Sequence, residues 1–134
     1  MNGGIIMNFF TPAEVAKNYI ATGKSKVNTP IPKMIILAIL AGAFIGFGGV
    51  GATTVAVSIT EPSLGKFIGA CVFPGGLTMV LIAGSELFTG NCMLTIPLLE
   101  KEITVDGMLK NWVVVYLGNL VGSILIAAGV IFGH

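Results

Sequence analysis

The stretch Leu81-Ile82-Ala83-Gly84-Ser85-Glu86-Leu87-Phe88-Thr89-Gly90-Asn91 decides how this chain folds. It lies in the later half of an apolar run over about 64–99 and interrupts that run with glycines, hydroxyls, an amide and a carboxylate. A helix needs roughly 20 residues to cross the hydrocarbon core of a bilayer. The run is too long for one straight crossing and too short for two joined by a turn. The expectation is one crossing in two pieces, broken near 86–91. Irregular backbone at membrane depth survives only where protein buries it or where it lines a cavity. The break therefore points to a cavity, although the same spacing also suits a packing kink with no passage.

Glu86 is the one ionisable residue well inside an apolar segment, so its carboxylate must be paired, hydrogen-bonded or beside water. Amides freed by the break are its expected donors. A helix restarting near Gly90 or Asn91 would expose unpaired N–H groups and the positive end of its dipole. Such a terminus near the bilayer midplane suits a small anion. Leu87 and Phe88 beside it are expected to form a greasy constriction, and the Thr89 hydroxyl to donate to an ion stripped of water.

Two further apolar stretches flank this run, about 34–58 and about 108–132, each long enough to cross once. With 54% hydrophobic and 10% charged residues, and a mean hydropathy of +0.96, the chain cannot cover a soluble surface, which takes about 25% charged residues. The fold class is all-α and integral to the membrane. Residues 34–134 form the membrane domain, and 1–33 a cytoplasmic helix and linker. Orientation follows from the lysines: Lys17, Lys24, Lys26 and Lys33 precede the first crossing, Lys101 and Lys110 follow the second, and Lys66 alone sits between them. That bias sets the N-terminus in the cytoplasm. An odd number of crossings means that a second copy of the unit would insert upside down, as in inverted-repeat transporters.

Smaller features fill in this outline. Thr11-Pro12-Ala13-Glu14 is a helix start, with a capping threonine, a proline at the first helical position and a glutamate that completes a capping box. Phe10 and Val15 have the spacing of a hydrophobic staple, and Gly23 is the expected stop. The helix suits the cytoplasmic membrane face, or equally a solvated linker. The first ten residues lack a positive region, so a cleaved signal peptide is not expected. Each crossing carries glycines four apart: Gly42 and Gly46, Gly65 and Gly69, Gly118 and Gly122. Each pair makes a smooth strip for close helix packing. Asn119, inside the last pair, needs a hydrogen-bond partner, and its expected role is structural. Cys71 and Cys92 read as buried small hydrophobes. The only histidine is His134, so none is placed for acid–base work, and no pattern calls for a metal, a cofactor or nucleic acid.

Beyond these physical readings, LIAGSELFTG at 81–90 resembles the first signature of the formate–nitrite transporter family. KNWVVVYLGNLVG at 110–122 is similar to that family's third transmembrane segment, and TPAEVAKN at 11–18 to its N-terminal helix. The LFTGN wording at 87–91 looks most like the family's hydrosulfide channels. The resemblance implies an aquaporin-like bundle assembled as a homopentamer, a multi-pass protein of the inner (plasma) membrane with one pore per protomer. It implies that the break is an omega loop to which Leu87, Phe88 and Thr89 belong, with Phe73 and Leu77 narrowing the pore further along the helix. Family protomers have six crossings with the pore histidine in the second half, so this chain, with three, is expected to be the first half of such a protomer, the alternative being a half-size unit that pairs with a copy or partner.

The expected function is a channel for small monovalent anions of weak acids (formate, nitrite or hydrosulfide), with proton coupling possible in the complete protein. Lipid bilayer and a small anion are the expected partners. The residues also leave open a channel for water or a neutral solute, and a non-conducting assembly subunit. An enzyme is not expected, because no histidine, cysteine and carboxylate converge.

Overall fold

The computed structural model describes residues 9–133; His134 and residues 1–8, where the signal-peptide reading falls, lie outside them. Among the described residues every regular element is helical. An N-terminal helix α1 (Pro12–Val27) precedes the long helix α2 (Ile31–Val57). The next apolar run forms α3 (Pro62–Val72) and α4 (Pro74–Ala83), then, after a gap, α5 (Phe88–Asn91), a 3-10 turn (Cys92–Leu94) and α6 (Thr95–Leu99). Helix α7 (Val105–Phe132) closes the chain.

Three helical stretches are long and apolar enough to cross a membrane: Ile31–Val57, Pro62–Ala83 and Val105–Phe132. Their starts precede the sequence-based limits by two or three residues, for local reasons. Prolines near the first helical positions open α2 and α3, and Thr104 caps α7 through the Gly107 N–H at 3.1 Å. The middle stretch bends at Phe73, where Pro74 brings no N–H to the helical ladder.

Helix α1 opens on the predicted capping box, with the Thr11 side chain accepting from the Glu14 N–H and the Glu14 carboxylate accepting from Thr11. Those bonds, to the Thr11 backbone first and its hydroxyl second, hold the Glu14 carboxyl below the usual carboxylate range. The helix does not stop at Gly23. It runs on to Val27, because Gly23 is buried at a packing contact where a Cβ would stand 2.6 Å from the Pro97 side chain. Glycine here allows α1 to sit down on α6.

The α2–α7 seam is built on small residues. A Cβ at Gly42 would strike the Asn119 carbonyl, and one at Gly122 would strike the Ile39 carbonyl. Gly48 and Gly76 bring α2 and α4 together, a Cβ on either standing 2.8 Å from a backbone carbonyl, a pair the four-residue spacing does not flag. Around this seam the usual order of a soluble protein is inverted. On α7 the buried positions include Asn111, Gly118 and Gly122, whereas Leu117, Ile124, Leu125 and Ile131 are exposed. An apolar exterior around a small-residue interior is the pattern of helices solvated by lipid. Cys71 and Cys92 belong to that exterior. Both are exposed, not buried as their apolar neighbours suggested.

Candidate functional site

The gap between α4 and α5 is built from backbone upward. Gly84 ends α4 in the left-handed region, φ 60°, which glycine enters without the penalty of a Cβ. The Ser85 N–H then reaches back 3.1 Å to the Val80 carbonyl, closing a Schellman-type cap. The next amide, Glu86 N–H, donates across to the Leu37 carbonyl of α2 at 3.2 Å. Phe88 N–H donates to Asn119 Oδ1 at 2.8 Å, while Asn119 Nδ2 donates to the Ala38 and Glu86 carbonyls at 2.8 and 2.9 Å. Asn119 thus fastens α2, the gap and α7 with one side chain. The helix restarts at Phe88, two residues before the sequence-based position, because the cap comes from a distant amide side chain.

Glu86 is not satisfied by the freed amides. Its two carboxylate oxygens accept from Lys26 Nζ, each at 2.9 Å, and Asn91 Nδ2 donates to Oε2 at 2.7 Å. Asn91 Nδ2 also donates to Asn111 Oδ1 at 2.8 Å, and Trp112 Nε1 donates to the Asn91 carbonyl at 2.8 Å. Glu86, Asn91 and Asn111 are all buried. An ion pair in such surroundings recovers its desolvation cost only with good geometry and further hydrogen bonds, and both are present. Lys26, one of the lysines counted above for orientation, is therefore the counter-ion of Glu86.

On one side of the gap lies a cavity of about 420 Å³ whose walls include Tyr19, Lys26, Leu77, Leu87, Thr89 and Asn91. Thr89 is exposed there. Tyr19, on α1, donates from its hydroxyl to the Gly90 carbonyl at 3.1 Å. Burial, and after it the nearby Glu86 carboxylate, pushes the Tyr19 phenol up to about 12, so it remains a neutral donor at physiological pH. No group of three or more His, Cys, Asp or Glu side chains suited to a metal occurs among the described residues.

The structure divides the predicted constriction. Leu77, Leu87, Thr89, Gly90 and Asn91 share the cavity, but Phe88 turns to the other side. Its ring packs edge-on against Tyr116 and Trp112, with centroids 5.4 and 6.1 Å away. Phe73 stands at the α3–α4 bend, outside the cavity wall that Leu77 joins. Sequence reading missed Tyr19, Lys26, Asn111 and Trp112. A signal existed for Asn111, which lies two four-residue steps before Asn119 on one face of α7.

A family model described as formate/nitrite transporter matches residues 13–134. The chain belongs to the formate/nitrite transporter family. It is 42% identical over 125 residues to a probable formate transporter of Methanothermobacter thermautotrophicus, an alignment that covers 90% of this chain and 46% of that protein. It is 41% identical over 131 residues to a formate channel of Bacillus thuringiensis, covering 96% of this chain and 50% of that one. With the formate channel FocA of Escherichia coli the identity is 34% over 116 residues, covering 85% and 41%. The chain spans about half the length of the curated relatives it matches. Family and helices together make this a membrane protein of a transporter class.

Proposed function

We propose that the complete protein conducts small monovalent anions of weak acids, formate foremost, through a path that passes the broken helix at 84–91. The observation that carries this reading is the cavity at the break, where the exposed residue Thr89 shares the wall with Leu77, Leu87 and Met93. Apolar walls exclude hydrated ions, because stripping water from a charge is costly. A hydroxyl donor returns part of that cost to a small anion. The neighbouring charges are already matched, since Lys26 holds Glu86. A site without net charge binds an anion weakly enough to release it, as conduction requires.

In the same reading Leu77 and Leu87 narrow the path at the break, and Phe73 narrows it further along the helix. Phe88 holds the loop from behind, and the remaining wall, with any proton donor, comes from residues beyond this chain. Three further elements rest on the family resemblance and the lysine bias: a homopentamer, an inner-membrane location and a cytoplasmic N-terminus. Formate takes precedence over hydrosulfide because the formate proteins above share up to 42% identity with the chain.

Stopped-flow uptake into proteoliposomes of the full-length protein tests the proposal, with formate, nitrite and hydrosulfide compared with chloride. Rapid entry of formate with chloride excluded is the expected result. Hydrosulfide entering faster than formate would reassign the substrate. Free passage of water or neutral solutes with no anion flux would overturn the anion reading.

A further inference from the structure

Gly90 lines the cavity, and its carbonyl accepts from Tyr19, another residue of the same wall. A bare carbonyl there presents the negative end of a dipole to an approaching anion, and apolar surroundings make that repulsion stronger than it would be in water. The Gly90 carbonyl takes the Cys92 N–H of its own turn and, from α1, the Tyr19 hydroxyl at 3.1 Å. Tyr19 and Gly90 are 71 residues apart, and both line the cavity, so the bond lies in its wall. Tyr19 is only half-buried, so its hydroxyl could have turned to water.

We propose that Tyr19 is a positioning residue for anion selectivity. By donating to the Gly90 carbonyl it removes an acceptor from the passage and leaves the Thr89 hydroxyl as the polar group the solute meets. This rests on the anion-channel reading above. Without the Tyr19 hydroxyl the ring still packs, but the Gly90 carbonyl keeps only the Cys92 N–H and its free lone pair faces the solute. An anion is then repelled, whereas a neutral molecule that carries N–H donors is accommodated. The signature of the role is therefore a change in preference between charged and neutral solutes of one size, not a general loss of flux.

Formate and formamide supply that comparison, being nearly the same shape and differing in charge. Full-length wild type and Tyr19→Phe are reconstituted in proteoliposomes, with equal elution on size exclusion as the check on folding. Both permeabilities are measured in the same vesicles. Tyr19→Phe is expected to lower the formate-to-formamide ratio by about threefold to tenfold, the range one lost neutral hydrogen bond brings. An unchanged ratio would overturn the proposal, whether both fluxes hold or fall together, since a merely structural tyrosine would move them in parallel. Absence of formate flux in the wild type would instead sink the anion-channel reading, and this inference with it.

Discussion

The α2–α7 seam and the α4–α5 gap lie next to each other and are held together by opposite means. Along the seam, Gly42, Gly118 and Gly122 let backbones touch, and Ser123 Oγ donates to the Gly42 carbonyl at 3.1 Å as one of few polar contacts. At the gap the Ser85 N–H still returns to α4, but the Glu86 and Phe88 N–H groups donate to Leu37 of α2 and to the Asn119 side chain. Asn119 partners that backbone, Lys26 and Asn91 partner the Glu86 carboxylate, and Asn111 accepts from Asn91. Neither region can draw on the hydrophobic effect, because lipid is as apolar as the interior. The seam therefore depends on shape and the gap on hydrogen bonds and charge.

That contrast fails in different ways under mutation. The largest effect belongs to the seam. Gly122→Leu would drive a side chain into the Ile39 carbonyl and the Ala43 N–H, neither of which can move aside. Overpacking at a yielding site costs about 1–3 kcal/mol, so an unyielding one should exceed that and abolish monodisperse protein on size exclusion. Recovery of well-folded Gly122→Leu would show that the seam is looser than its geometry.

At the gap, Glu86→Gln removes one partner of a pair whose side chains are 21% and 8% exposed. The uncompensated lysine should cost about 3 kcal/mol, seen as a lower melting temperature in detergent. Removing both charges together, with Lys26→Met and Glu86→Leu, should recover much of that loss. A double variant as unstable as the single one would mean that the charges matter separately. Asn119→Leu comes next. It strands the Phe88 N–H and the Ala38 and Glu86 carbonyls, and should cost about 2 kcal/mol. Faster hydrogen exchange at Phe88 should accompany it.

The smallest effect lies at the start of α1, outside both regions. Glu14 titrates below its usual 4.5 because Thr11 donates to it. Its folded-state pKa is depressed, so its contribution is present above about 4.5 and is lost as pH falls through the lower folded value. Fraying of α1 by hydrogen exchange should increase on acidification through that window, and Glu14→Gln should flatten the response.

These regions also differ in how much of them could be read from sequence. The capping box at Thr11 and Glu14 is local, set by neighbouring residues, and local chemistry is legible. The existence of a break was legible because Gly84, Ser85 and Glu86 interrupt an apolar run. Its repair was not. Lys26 lies 60 residues from Glu86, and Asn119 lies 31 residues from the amide it caps, so no local spacing pairs them. Gly23 misled for the same reason: as a local signal it ends a helix, and as a tertiary contact it admits Pro97. The two phenylalanines near the candidate path, Phe73 and Phe88, have the right composition for a constriction, but only packing decides which way each ring turns.

The central claim is that solute passes Thr89 at the break as an anion. Formate uptake into proteoliposomes of the full-length protein, wild type against Thr89→Val, tests it most directly, because valine keeps the shape and removes only the hydroxyl. Losing a single donor to a charge in apolar surroundings should slow formate entry by about tenfold or more, with elution and melting unchanged. Equal formate flux in the two proteins would contradict the account and take Thr89 out of the path.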